Sequence, residues 1–439
     1  MLNIQRLKRQ LMLLGLVVLS FGACKKNNNK NPDKLVFSEV NNATSTIKTD
    51  ETIILNPKVI GPSATYEWKE NDKVIGTTAA YVFQRDKPGD YVISLKVSNS
   101  SSTNSITYKI KVVGLYTNGI LLINGTDLNG TGGGNISFLD ENENLKLDVF
   151  SKENNGVKLS SSVMGAFRYG SELFVSATSS PFIQSVSDET LKLNSTITTS
   201  GITGVTYFAT VDGKTGYVNS STRRKLGFYA VDLTAKTIGS AALTGTADAT
   251  LLPITTLNGK YLTPSLKTLV KVENGAAQTL FTYAENVAGV VKTSNKQVWV
   301  GVAKGASPNA KLIRLDENFV VQETVDLGST FLLPPNGILT ASGADEFIYW
   351  QETSTGDFCR FNTTTKTAEK FVSPAADGLV FATAWKVNPK TGELFLADSP
   401  GIFGLDDAFS DLYIYGKDKK LRKKIAKAGY QIVDVIFPK

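Results

Sequence analysis

Histidine is absent from the 439-residue chain. The commonest general base and the commonest neutral metal ligand are therefore missing. Histidine-dependent triads and histidine-ligated zinc are excluded, which leaves carboxylate chemistry, calcium binding and noncovalent recognition. Asp406 and Asp407 are adjacent carboxylates in a long loop. Adjacent residues in an extended segment point to opposite sides, so these two cannot flank a glycosidic bond as a facing acid and base. Calcium loops of the Asp-x-Asp-x-Asp-Gly type are absent. We expect no catalytic residue, no metal and no cofactor.

The remaining chemistry is recognition. A glycine-rich run, residues 126–134, contains Asp127, and its lack of bulk allows close approach to a ligand. Residues 220–225 form a basic loop with Arg223 and Arg224. Trp350 opens a polar loop that runs to Asp357, and residues 398–410 carry Phe403, Asp406, Asp407 and Phe409. We take Asp127, Arg223, Arg224, Trp350, Phe403 and Asp406 as candidate ligand-binding residues. The competing reading is a solvated loop residue for each, or blade packing for Trp350. The cysteines are Cys24 and Cys359. Cys359 lies between Phe358 and Arg360 in a strand-like stretch with no histidine to activate it, and reads as a packing residue.

These loops interrupt a repeat. A small turn, often with Gly, leads into an apolar strand, then a polar loop, then a second strand ending near an Asp or Asn turn. The openings are Asn118-Gly119, Gly170-Ser171, Asp212-Gly213, Asn258-Gly259, Asn295-Lys296, Ala344-Asp345 and Thr391-Gly392. Their spacing of roughly 37 to 50 residues, with short strands in each copy, is that of β-propeller blades. Seven copies predict seven blades over residues 114–439, with six or eight as alternative counts. The strand-like end, residues 431–437, is placed to complete a blade with strands from the domain start. The loop between the second and third strands of each blade would lie on one face, which gathers the candidates above.

Residues 35–113 alternate apolar and polar positions in short strands separated by turns, the pattern of a two-sheet sandwich. Tyr66-x-Trp68, followed by Pro88-Gly89-Asp90-Tyr91-x-Ile93-x-Leu95-x-Val97, resembles the PKD-like branch of immunoglobulin-like domains. The resemblance implies that Trp68 is a core residue and that the domain is a spacer; a glycan-binding role is the alternative. The fold class is thus all-β, an N-terminal immunoglobulin-like (PKD-like) β-sandwich followed by a seven-bladed β-propeller.

The N-terminus reads as a targeting segment. Arg6, Lys8 and Arg9 precede an apolar run at residues 11–19, followed by Ser20-Phe21-Gly22-Ala23-Cys24. This is the layout of a secretory signal, and the apolar run is too short to span a bilayer. Gly22-Ala23-Cys24 resembles the bacterial lipobox, although Phe21 stands where Leu is usual; the resemblance implies that Cys24 is lipidated. Residues 1–23 would be removed and residues 24–34, rich in Lys and Asn, would form a flexible tether. The formal charge is +7, and without the three leader cations basic and acidic residues nearly balance. No case for nucleic-acid binding arises.

The segment Gly119-x-Leu121-x-Ile123-Asn124-Gly125, then Asn135-Ile136-Ser137-Phe138-Leu139-Asp140, resembles the first blade of YVTN or YncE-like propellers in Bacteroidetes surface lipoproteins, of the DUF5074 type. Here Gly125 follows Asn124 without the Glu usual in that group. Some members of the wider group bind corrinoids and partner a TonB-dependent transporter. The resemblance implies a non-enzymatic outer-membrane lipoprotein, facing the cell surface or the periplasm. Its loop face would bind a small molecule or glycan in support of such a transporter. A protein-interaction or adhesion scaffold and a polysaccharide-degrading enzyme are the alternatives.

Overall fold

The structure is a computed structural model that describes residues 33–125, 132–202, 204–220, 227–246, 252–335, 337–352, 354–399 and 409–439. Two compact units emerge, with the main division between Lys111 and Val112. Among the described residues no helix is long and apolar enough to cross a membrane.

The first unit is built on a five-stranded sheet in the order Thr44–Lys48, Thr103–Val113, Gly89–Ser98, Thr65–Glu70, Lys73–Gly76, accompanied by two two-stranded sheets. Strand alternation produces its core. Ile93, Leu95 and Val97 on one strand and Tyr108, Ile110 and Val112 on the next are all buried, with Leu55 and Phe83 from the smaller Ile53–Leu55 and Tyr81–Phe83 pair. Trp68 is fully buried, donates its indole N–H to the Thr78 carbonyl (2.8 Å), and packs against Tyr81 and Tyr108 at 5.6 Å each. The core reading of Trp68 holds.

Among the described residues the second unit consists of seven sheets, six built wholly from consecutive strands and one that joins the two ends of the unit. In blade one the C-terminal strand Ile432–Ile436 is innermost. It pairs antiparallel with Ile120–Asn124 (Leu121 opposite Ile436, Ile123 opposite Asp434), and Asn135–Leu139 and Leu145–Lys146 follow outward. The expected ring closure is therefore present. Blades two to seven begin with the inner strands Val163–Tyr169, Val205–Thr210, Thr255–Leu257, Val287–Lys292, Thr340–Ala341 and Ala382–Val387. These strands neighbour one another in a ring, with Ile432–Ile436 between those of blades seven and two. Blade three carries an extra strand, Thr199–Ser200, parallel to its outer strand Thr237–Ala242.

Adjacent blades bury apolar faces against each other. Leu121, Ile123, Ile136 and Phe138 of blade one pack against Val163, Leu173, Val175 and Val186 of blade two. Trp299 and Leu312 of blade five meet Ile348, Trp350, Cys359 and Phe361 of blade six. At about 25 cal/mol per Å² of apolar area, such blade-to-blade seams supply most of the drive for closure, and the radial arrangement leaves only short, protected strand edges.

One carboxylate reinforces the closing strand. Asp434 pairs with Lys386 of blade seven (2.9 Å) and accepts from the backbone N–H of Ala166 of blade two (3.2 Å), linking three blades at the seam. In blade four Thr263 to Ser265 end the strand Lys260–Ser265, and a tight turn at Leu266 and Lys267 joins it to Thr268–Glu273.

Candidate functional site

Each blade is an antiparallel meander, so its first and third turns lie at one end and its second turn, with the link to the next blade, at the other. The two ends differ. At the first end the connections are tight and chemically explicit. Asn258-Gly259 and Asn274-Gly275 both adopt positive φ (50° and 74°, 51° and 78°), the requirement of a two-residue hairpin turn. Four third turns share one device, a side-chain oxygen that accepts two backbone N–H groups within the turn. Asp140 accepts from Asn142 and Asn144, Asp232 from Thr234 and Ala235, Asp316 from Asn318 and Val320, and Asn362 from Thr364 and Thr365, at 2.8–2.9 Å. Burial alone would raise the Asp140 carboxyl, but the bonds from Asn144 and Asn142 outweigh it and hold it below the usual range.

The other end carries the long connections. Joined at this end are Ile120–Asn124 to Asn135–Leu139, Val298–Val302 to Lys311–Leu315 and Leu394–Asp398 to Phe409–Tyr415 within blades, and the outer strand of one blade to the inner strand of the next between blades. Rigid strands displaying long loops on one side are the arrangement in which recognition surfaces are found.

Of the candidate residues, Asp127, Arg223, Arg224, Phe403 and Asp406 lie outside the described residues, as does Cys24. Trp350 is described, and its expected role as a ligand platform is corrected. Its side chain is fully buried in the seam between blades five and six, and its indole N–H donates to the Leu332 carbonyl at 3.0 Å. A position late in a strand turns this side chain into the neighbouring blade, where a large aromatic fills the seam. Cys359 packs in the same cluster, and burial pushes its thiol up to about 12. Its reading as a packing residue holds.

Sequence reasoning missed a cleft on the long-connection end, of about 240 Å³. It is lined by Asn124, Gly125, Gly133, Asn135, Asp148, Ser151, Lys158 and Tyr430. Three places in the chain meet here: the ends of the glycine-rich loop of blade one, the link from blade one to blade two, and the last residue of the outer strand of blade seven. Glycine permits the convergence. A Cβ on Gly134 would stand 2.6 Å from the Asn124 carbonyl oxygen and 2.7 Å from Val163 Cγ2. Asp148 holds a left-handed backbone (φ 59°) before the short helix Val149–Glu153, which turns the link back over the blade.

The floor is amide. Asn124 is 1% exposed and donates Nδ2–H to Ser137 Oγ at 2.8 Å, while its buried Oδ1 has no partner among the described residues. Asn135, 6% exposed, is fixed by accepting from the N–H groups of Ile136 and Ser151 and donating to Ser151 Oγ. The rim is charged. Lys158 is exposed and Asp148 half-buried, and their side chains pair neither with each other nor with another described residue. Phe409 packs against Tyr430 with the two rings tilted by 32° and their centroids 4.0 Å apart. The sequence did carry one signal for this place, the glycine-rich loop. What it lacked was the pairing of that loop with residues 148–158 and 430, which come together only when the ring closes. Among the described residues no group of three or more acidic or cysteine side chains is placed to hold a metal.

A smaller cleft of about 180 Å³ lies at the same end between blades five and six, lined mainly by Ala303, Leu332, Leu333, Pro334 and Pro335, with Lys304 and Glu352. Nearby in the ring, Asp398 is 2% exposed and accepts from the N–H groups of Val380 and Phe381 (2.7–3.2 Å). Burial raises its carboxyl, opposed by those amide bonds. Clamping this backbone leaves the side chains of Val380 and Phe381 exposed at 72% and 46%.

Comparison with known proteins agrees with the fold. No curated protein sequence matches this chain. Among solved structures, a quinonprotein alcohol dehydrogenase-like protein from Bacteroides thetaiotaomicron is similar over 94% of this chain and 99% of its own (TM-score 0.55, 17% identity). A putative 6-phosphogluconolactonase from Bacteroides fragilis is similar over 73% of this chain and 98% of its own (TM-score 0.51, 13% identity). A functionally unknown protein from Desulfotomaculum acetoxidans matches over 73% and 100% (TM-score 0.50, 13% identity). At these identities the likeness is one of fold. Residues 39–99 match the PKD-like domain, and residues 118–437 match the family described as Domain of unknown function (DUF5074). Since that second match takes in most of the chain, the protein belongs to the DUF5074 family, with a PKD-like domain ahead of its propeller.

Proposed function

We propose that this protein is a non-enzymatic lipoprotein of the cell envelope, anchored through Cys24, whose long-connection end captures a ligand for an outer-membrane transporter of the TonB-dependent type. One observation carries the ligand-binding part. The cleft at the ring seam gathers Asn124, Asn135, Asp148, Ser151, Lys158 and Tyr430 from three stretches of the chain. A concave site with a few convergent polar groups is the usual form of a small-molecule site. The cell-envelope part rests on the sequence of residues 1–34, and the transporter on the resemblance stated above.

The test is recovery of the full-length chain from its native membrane, followed by mass spectrometry. The proposal expects a diacylglyceryl-modified N-terminal peptide beginning at Cys24, a bound small molecule or glycan, and a co-isolated transporter. A chain that keeps residues 1–23, or turns over a glycan, would overturn it.

A second reading, a protein-interaction scaffold, is favoured by one feature, the exposed Val380 and Phe381 held outward by Asp398. Changing both to Ser would abolish partner capture under that reading and leave small-ligand binding intact under the first.

A further inference from the structure

We infer that a groove between blades two and three, at the end of the propeller opposite the cleft, receives an arginine side chain presented by a partner protein. The inference goes beyond the proposed function and does not depend on it.

The repeat itself supplies the comparison. In blades four, five and six a third-strand cation lies opposite the second-strand residue that packs into the next seam. Lys271 is opposite Leu262, Arg314 opposite Trp299, and Arg360 opposite Tyr349. Each cation meets a glutamate of its own blade: Lys271 with Glu273 at 3.1 Å, Arg314 with Glu323 at 2.9 Å, and Arg360 with Glu369 at 2.7 Å. Arg360 is the fullest case. Its side chain is 10% exposed, and its guanidinium stands 4.1 Å from the centroid of the Phe347 ring and 4.5 Å from that of Phe371. The following blade adds a lysine to two of these seams, Lys366 on Glu323 and Lys419 on Glu369. A cationic side chain with its stem along the apolar seam and its head on a carboxylate is thus a recurring device of this ring.

Blade two has the same frame without the occupant. The residue opposite Phe174, which packs into the seam with blade three, is Ser185. Ser185 in turn pairs with Ser195, whereas blades five and six set arginine opposite glutamate, Arg314 with Glu323 and Arg360 with Glu369. Where a long side chain would lie there is a groove of about 170 Å³. Phe174, Ile183 and Ile197 of blade two and Leu233 of blade three form its apolar walls. It opens at the tight turns of blade three that contain Gly213 and Leu233, and every lining residue is among those described. Ser185 matters here for its small size; its hydroxyl is buried beneath the surface and is not a contact for the occupant.

The charge of the occupant follows from Glu172. It is half-buried and is the one ionisable side chain among the lining residues. Asn194 donates to its Oε1 at 3.0 Å and orients the carboxylate, which forms no ion pair with a described residue. A carboxylate beside apolar walls repels an anion and forms its strongest hydrogen bonds with a cation. Arginine suits the place better than lysine, because guanidinium is more weakly hydrated and bonds a carboxylate through two parallel N–H groups. The volume lies below the roughly 300 to 1,000 Å³ of small-molecule sites, which matches one side chain reaching in from a protein surface.

Saturation-transfer NMR on the purified full-length chain tests the groove with capped tripeptides, acetyl-Gly-X-Gly-amide, in which X is arginine, lysine, citrulline or leucine. The arginine peptide is expected to bind most tightly, with a dissociation constant that rises about threefold from about 50 mM to about 500 mM NaCl. Citrulline, which keeps the shape and loses the charge, should bind roughly fivefold more weakly or worse. Glu172→Gln should weaken the arginine peptide by a similar factor and remove its salt dependence. Ser185→Arg rebuilds in blade two the side chain that blade six carries, and should abolish binding by filling the groove. Ser195→Arg, at a more exposed position of the same groove, is a second filling variant, and thermal unfolding confirms that each variant is folded. Free arginine, whose own carboxylate has no counter-charge among the lining residues, should bind more weakly than the capped peptide; tighter binding would assign the groove to a free amino acid and overturn the partner. A leucine or citrulline peptide that binds as well as the arginine peptide would overturn the charge assignment. Arginine binding that survives Glu172→Gln and both filling variants would overturn the groove, and absence of any arginine signal would overturn the inference.

Discussion

The two ends of the propeller solve the same problem, reversing a chain between strands, by different means. At one end the solution is local. Asn258-Gly259 turns because of its own backbone preferences, and Asp140, Asp232, Asp316 and Asn362 each hold their turn through their own side chains. At the other end the solution is tertiary. Asn124, Asn135, Asp148 and Tyr430 meet across three stretches of chain, and Asp398 clamps a link from the preceding blade. An end that depends on local rules can repeat from blade to blade. An end that depends on distant partners is free to differ, and there a binding site can be individual to the protein.

The comparison can be broken most forcefully where a long-connection residue has been absorbed into the core. Trp350→Ala should cost about 3–5 kcal/mol, the usual penalty for removing a buried Trp, and urea unfolding would read it as a lower midpoint. A loss below about 1 kcal/mol would return Trp350 to the surface role expected from sequence.

The two glycine environments give the next contrast. Gly134→Ala places a methyl group 2.6 Å from the Asn124 carbonyl oxygen and should cost about 1–3 kcal/mol. Gly259→Ala meets nothing within 4 Å, so only its φ of 74° is penalised, by about 1 kcal/mol. Equal losses in thermal unfolding would remove the distinction between close approach and backbone conformation.

Asp140 sharpens the local side through pH. Its folded carboxyl is held below the ordinary value of about 3.9. Its contribution is therefore present above that value and lost as pH falls through the lowered folded value. Asp140→Ala should cost about 1 kcal/mol at pH 7, with the difference from wild type shrinking in acid. A difference independent of pH would contradict the turn device.

Cys359 runs the other way. Burial pushes its thiol up to about 12, above the roughly 8.5 of an unfolded chain. The folded state thus favours the thiol, and this contribution is complete below about 8.5 and lost as pH rises toward 12. At pH 8 a thiol reagent should fail to label the native protein and label it fully in denaturant. Rapid native labelling would show that the seam between blades five and six opens readily.

The smallest expected effect on stability is at the cleft. Tyr430→Ala should stay near 0.5 kcal/mol, as surface substitutions usually do, while removing ligand binding. A large destabilisation there would mean that the ring seam, and not a ligand, is what the Phe409–Tyr430 contact serves.

Much of the architecture could be read from residue order. The recurring turn residues located each blade, the apolar alternation of Ile93, Leu95 and Val97 located the sandwich core, and the terminal run around Asp434 was placed as the closing strand. These readings succeed because turn conformation and strand alternation depend on near neighbours in the chain. The site was only half legible. The glycine-rich loop marked its edge, but nothing in the sequence tied that loop to Asp148, Lys158 or Tyr430. Trp350 shows the same limit, since a tryptophan at a strand end can face solvent or a neighbouring blade. Periodicity and turn chemistry thus determined that the chain is a sandwich and a ring of blades. Ring closure decided which polar residues face one another across the cleft, because burial and proximity depend on residues that are distant in sequence until the last strand pairs with the first blade.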